Sequence, residues 1–223
     1  ERLVAITRGG SHLWYPAARH VELYDLRDPQ DVRVENVYQR RQTGLLKQMR
    51  ASEFDNAVIK DAAKSLGLTS YHVLHPAWMY QRLEPYWAGA RGVGWLMRQI
   101  RAEAFPLVDA EGIVLPPEYV AVRFYHRHTF PPSDLTKALA IETIKHLAEK
   151  THVMVLNVDT HADEHADIPL PDIPNVTQLK GQACVKPQNN LAMQSAILSR
   201  ALAYVGTYGG LAHLALMYRK PSV

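Results

Sequence analysis

Two arginines and a glycine pair carry the chemistry that this sequence offers. Arg123-Phe124-Tyr125-His126-Arg127 closes and follows the apolar run 119–124, and Thr207-Tyr208-Gly209-Gly210 follows another, 202–205. A glycine pair between a strand and a helix lets backbone N–H groups approach a ligand closely. The helix behind it presents unpaired N–H groups and the positive end of its dipole, a combination that suits a phosphate. Arginine's planar fork matches diphosphate oxygens and neutralises the charge on a departing nucleoside diphosphate. Arg127 is the better placed of the two, because Arg123 has the alternative of pointing into the sheet. His213, one turn into the following helix, either faces the same phosphates or packs. Thr207 and Tyr208 add hydroxyls beside the loop. Read as local structure alone, Gly209-Gly210 is a tight turn and 123–127 a solvated basic loop.

A second cluster, Asp159, His161, Asp163, His165 and Asp167, holds metal-ligand side chains at every second position. Such alternation serves one side of a strand only, and the segment falls after a strand end and before Pro169. It has no H-E-x-x-H pattern and no cysteine partner, so an exposed acidic–histidine loop is expected and no metal site. The lone Cys184 cannot form an internal disulfide, argues for a reducing compartment, and has no neighbour that marks it as a nucleophile.

The elements that must position these residues read as alternating strands and helices. Residues 3–7 form a buried strand before the loop Arg8-Gly9-Gly10-Ser11-His12, and 21–26 a second short strand. The polar stretch 30–48 is a surface helix or excursion. Phe54, Val58, Ala62 and Leu66 recur every four residues in a helix that starts at Glu53, with Gly67 as its C-cap. Residues 71–74 are expected as a strand, and the Trp- and Tyr-rich stretch 77–98, interrupted by glycines, as core or domain interface. Leu115-Pro116-Pro117 is a stiff connector that divides the chain into domains 1–114 and 115–223. Beyond it, Ser133 caps a helix whose apolar stripe runs Leu135, Ala138, Leu139, Ile141, Ile144, Leu147 and Ala148. Strands follow at 152–157 and 176–179, then a helix capped by Asn189 or Asn190, the strand at 202–205 and the helix at 211–218. This alternation predicts a parallel sheet with right-handed crossovers.

The chain has 223 residues, is 47% hydrophobic and 21% charged, and carries a net charge of +3. That is ordinary for a globular protein with a core and too mild for a dedicated nucleic-acid binder. No apolar run approaches the ~18 residues of a membrane span, and no signal peptide opens the chain, so no membrane span and a cytoplasmic location are expected. The start at Glu1, directly before a strand, and the end at Val223, with a strand barely begun, suggest a piece of a longer protein.

The closing segment, AILSRALAYVGTYGGLAHLALMYRKPSV, resembles the donor-binding segment of GT-B glycosyltransferases, the heptosyltransferase-like families among them. The likeness rests on Leu198-Ser199-Arg200-Ala201, Val205-Gly206-Thr207-Tyr208-Gly209-Gly210, Leu211-Ala212-His213-Leu214-Ala215 and Lys220-Pro221-Ser222-Val223, about an eighth of the chain. It implies an α/β fold of two Rossmann-like halves, the first of them incomplete here. It also implies transfer of a sugar from a nucleotide-diphosphate sugar to an unknown acceptor, with no bound metal and no cofactor besides the sugar nucleotide. Arg123, Arg127, Thr207, Tyr208, Gly209, Gly210 and His213 would hold the donor. In that class the general base usually comes from the first half, where His12 has the best location and Asp25 the second, with His75 weaker. A sugar-nucleotide epimerase or hydrolase, or a non-catalytic module that keeps only the fold, are the alternatives.

Overall fold

The computed structural model describes residues 4–7, 19–22, 37–44, 50–99, 104–109, 112–127, 130–157, 166–186 and 189–223. The described elements fall into two compact units, one reaching Gln99 and one from Ala104 onward.

In the first unit, β1 (Val4–Thr7) pairs in parallel with β2 (Arg19–Glu22), so β2 sits earlier than the apolar residues suggest. Residues 37–43 form an exposed helix, α1. Helix α2 (Glu53–Ser65) begins at a capping box: Ser52 Oγ accepts from the Asp55 N–H at 3.0 Å, and Asp55 Oδ2 accepts from the Ser52 N–H at 2.7 Å. It ends where Gly67 takes φ +63°, a left-handed step open to glycine. Residues 71–74 are not a strand. They are exposed and no ladder partner holds them among the described residues, and apolar character alone does not make a strand. Three short helices follow, α3 (Pro76–Arg82), α4 (Glu84–Trp87) and α5 (Val93–Gln99), the last two separated by Gly89 at φ +74°. His75 is held locally: its Nδ1 accepts from the Ala77 N–H at 3.0 Å, and its Nε2 lies 3.5 Å from Asp55 Oδ2.

The second unit is built on a four-stranded parallel sheet of β3 (Tyr119–Arg123), β5 (His152–Val155), β7 (Val176–Gln178) and β8 (Tyr204–Gly206), ordered β7-β5-β3-β8. Val122 stands opposite Val155 on one side and Val205 on the other. Ser222 bridges Tyr204 in parallel on the free side of β8. The chain therefore winds outward from β3 through β5 to β7, then returns to lay β8 on the opposite flank of β3. This reversal is the topological switch point of a Rossmann-like sheet, and open α/β sheets bind ligands outside the carboxyl ends of the strands there.

Both faces of the sheet are covered, which explains why the central strands β3 and β5 are mostly apolar and buried, whereas the edge strand β7 is only partly buried. On one face Tyr119, Ala121, Met154 and Tyr204 pack with α7 (Asn190–Arg200) and α8 (Gly210–Met217). On the other, Val120, Val122, Val153 and Val155 pack with Ile144 and Ala148 of α6 (Asp134–Ala148). The buried stripe of α6 is Ala140, Ile144 and Ala148, one residue per turn, whereas Leu135 and Leu139 on the adjacent row are exposed. The Ser133 cap forms as expected, with its Oγ accepting from the Thr136 N–H. Asn189 precedes α7 without capping it. Its amide instead ties the preceding turn, accepting from the Lys186 N–H and donating to the Cys184 carbonyl. Residues 104–109 join this unit as well: the Phe105 N–H donates to the Met217 carbonyl, Val108 is buried, and Arg200 donates to the Val108 carbonyl. Among the described residues no helix is long and apolar enough to cross a membrane.

Ile144→Ala should destabilise the protein by about 2–5 kcal/mol, because it opens a cavity against a sheet that cannot collapse to fill it. Urea unfolding should show a lower midpoint at an unchanged slope. A second expectation concerns alkali. Tyr119 donates its hydroxyl to the Ile197 carbonyl at 2.7 Å, and burial pushes the phenol from 10.0 up to about 12, with Arg200 opposing. The native chain therefore holds this proton after the unfolded chain has lost it. Stability should be level below about pH 10 and fall as pH rises towards 12. Tyr119→Phe should flatten part of that fall in unfolding titrations. Tyr204, which burial shifts in the same direction, should account for the remainder.

Candidate functional site

Beyond β3 the chain bends into β4 (Tyr125–His126), which pairs antiparallel with β6 (Ala166–Asp167). Arg123, only 5% exposed, donates from Nε to Asp167 Oδ1 at 3.0 Å and lies 5.3 Å over the Tyr125 ring. It thus points inward and ties β6 to the end of β3. Its carbonyl accepts from the Thr207 N–H at 3.0 Å, extending the β3–β8 ladder past both strand ends. Thr207 is buried, and its hydroxyl is used internally, accepting from the Tyr125 N–H at 3.2 Å and donating to the Tyr125 carbonyl at 3.3 Å.

The glycines here are set by close approach. A Cβ on Gly206 would fall 2.1 Å from the Arg123 carbonyl oxygen, and one on Gly209 would fall 2.1 Å from the Tyr125 hydroxyl. Gly210 faces open space and opens α8. Arg127 is half-buried, exchanges backbone hydrogen bonds with Phe130, and donates from Nη1 to the Tyr208 carbonyl at 2.6 Å. The Tyr125 hydroxyl reaches the same carbonyl at 3.5 Å. Tyr208 is exposed, with its ring edge-on to that of exposed His213 at 5.0 Å between centroids. The His213 N–H makes the first intrahelical bond, to the Gly209 carbonyl, and no side chain caps the α8 N-terminus.

The fold therefore brings Arg127, Thr207, Tyr208, Gly209, Gly210 and His213 together at the switch point, with Arg123 beneath them. His12 and Asp25 lie outside the described residues, as do Asp159, His161, Asp163 and His165. Among the described residues no group of three or more His, Cys, Asp or Glu side chains is placed to hold a metal, and Asp167 pairs with Arg123. Two residues were missed at sequence level. Tyr125 supports Gly209 from below, and the period-2 spacing Arg123, Tyr125, Arg127 was the available signal. Asp167 was visible only as part of the acidic–histidine cluster. A separate cavity of about 270 Å³, lined by Met154, Thr177, Leu179 and Gln182, lies at the β7 end of the sheet, away from β8 and the glycine loop.

Comparison with protein-family models, with curated proteins and with solved structures finds no match to any of them. Fold and site together define a Rossmann-like α/β unit whose switch point carries a glycine loop, an uncapped helix N-terminus and an arginine.

Gly209→Ala should destabilise the protein by about 1–3 kcal/mol through overpacking against a stiff ring. Tyr125→Phe in the same chain should recover most of that loss, because the nearest ring carbon lies 3.4 Å from the added methyl. Denaturation of the two single variants and the double variant measures the coupling.

Proposed function

We propose that the second unit binds the diphosphate of a sugar nucleotide at the switch point and serves sugar transfer to an acceptor hydroxyl. The observation that supports this reading is the junction of Arg127, the Tyr208–Gly209 peptide and the uncapped start of α8. Unpaired N–H groups at a helix start and a guanidinium beside them suit an anion. In the transfer, the acceptor oxygen attacks the anomeric carbon, the bond from that carbon to the phosphate oxygen breaks, and the electron pair leaves on the diphosphate. Arg127 and the first turn of α8 take up that negative charge. The acceptor's proton passes to a base, for which His12 and Asp25 remain the sequence candidates. Tyr208, exposed in the same loop, offers a ring face to the base or the sugar.

One set of contacts favours a second reading, a module that keeps the fold without the chemistry. Arg123 is paired with Asp167, and the Thr207 hydroxyl is bonded to the Tyr125 backbone, so both already serve the fold.

Thermal unfolding with UDP, ADP, GDP, CDP and dTDP separates the two. On the first reading one nucleotide stabilises the protein by about 2.7 kcal/mol at a hundred times its Kd, and the shift survives EDTA. Arg127→Ala should weaken that binding at least tenfold, and Arg127→Lys should restore only part of it, since lysine keeps the charge without the fork. No shift with any of the five would favour the second reading.

A further inference from the structure

The first unit carries exposed apolar side chains among three exposed arginines and one exposed acid, Glu84. Leu74, Trp78, Trp87 and Val93 are 76%, 53%, 55% and 60% exposed. Their outward placement has a local cause, because Ala77 and Leu83 already occupy the inward positions of this stretch. Helix α3 contacts α4, and α4 contacts α5, so Trp78, Trp87 and Val93 belong to three successive, touching helices, with Leu74 just before the first. The Arg82 guanidinium lies 5.6 Å over the Trp78 ring, and Arg91 and Arg98 are exposed. Residues 71–99 hold three arginines (Arg82, Arg91 and Arg98) and one acid (Glu84), a surplus of two positive charges. The exposed Trp78 and Trp87 thus lie in a stretch with a net positive charge.

We propose that α3–α5 dock on an anionic lipid surface. Indole rings favour the headgroup boundary, aliphatic side chains gain by entering the acyl region, and arginine keeps its charge among the headgroups while its stem lies in apolar surroundings. None of the three helices is long enough to span a bilayer, so the contact is a surface one. Charge argues against a second copy of this chain as the occupant, because two such faces would oppose like excesses. A single-stranded nucleic acid would use the arginines and the indole rings but leave Leu74 and Val93 without a partner. The proposal is independent of the donor reading, whose diphosphate-binding residues belong to the second unit.

Co-sedimentation with vesicles of phosphatidylcholine alone, and of phosphatidylcholine mixed with phosphatidylglycerol, tests it. The protein should partition to the mixed vesicles only, with a blue shift of tryptophan emission, quenching by brominated acyl chains and weakening as salt rises. Arg82→Gln with Arg91→Gln should lower partitioning about thirtyfold. Trp78→Ser with Trp87→Ser should remove the blue shift. Both pairs are exposed, so circular-dichroism melting should stay at the wild-type midpoint and confirm folded protein. Absence of binding to the mixed vesicles would overturn the proposal. So would equal binding by the variants, unquenched tryptophan, or a dimer or RNA complex that depends on these residues in protein that ignores vesicles.

Discussion

Every backbone group of β3 must find its partner inside the protein, because all five of its residues are buried. That single demand organises the second unit. The strand is met by β5 on one side and β8 on the other. Beyond the paired residues themselves, the Tyr119 carbonyl accepts from the Leu202 N–H and the Val122 carbonyl from the Leu156 N–H. Once both flanks are held in register, the carboxyl ends of β3 and β8 must lie side by side. Arg127 and Tyr208 meet there although 81 residues separate them. The site is thus a by-product of satisfying a buried strand.

The part-buried ion pair at the end of β3 has a different standing. Removing two charges from water roughly offsets their attraction, so Arg123 and Asp167 contribute little net stability as a pair. What they fix is position. Asp167 belongs to the two-residue strand β6, too short to hold itself on β4 by its ladder alone, and Arg123 anchors it. Loss of either partner would take away the ion pair that ties β6 to the end of β3, so the pair matters for position even though it adds little net stability.

How far the sequence disclosed this structure depended on the range of the interaction. β3 and β5 were legible because covered parallel strands are continuous apolar runs, and the start of α6 because a Ser133 cap acts within three residues. Residues 71–74 misled because a strand needs a partner, and partners are not written in a four-residue window. Asn189 misled in another way: the residue type suited a cap, but its amide had nearer backbone groups to bind. At the site, Gly209 and Arg127 were legible by type and spacing. The commitment of Arg123 to Asp167, 44 residues away, was not, since no local pattern encodes it. Nor did the helical period reveal which side of α6 faces the sheet, because leucines occupy the exposed row as well.

The carbonyl of Tyr208 accepts from both Arg127 and Tyr125, and the peptide that follows it is trans like every described peptide bond. A planar trans unit sends its N–H opposite to its C=O. Holding that oxygen against the β3 side therefore turns the Gly209 N–H the other way, and the loop has one orientation of this peptide. The entropy of choosing it is spent when the chain folds, so on the proposed reading an anion would not have to order this peptide in order to bind.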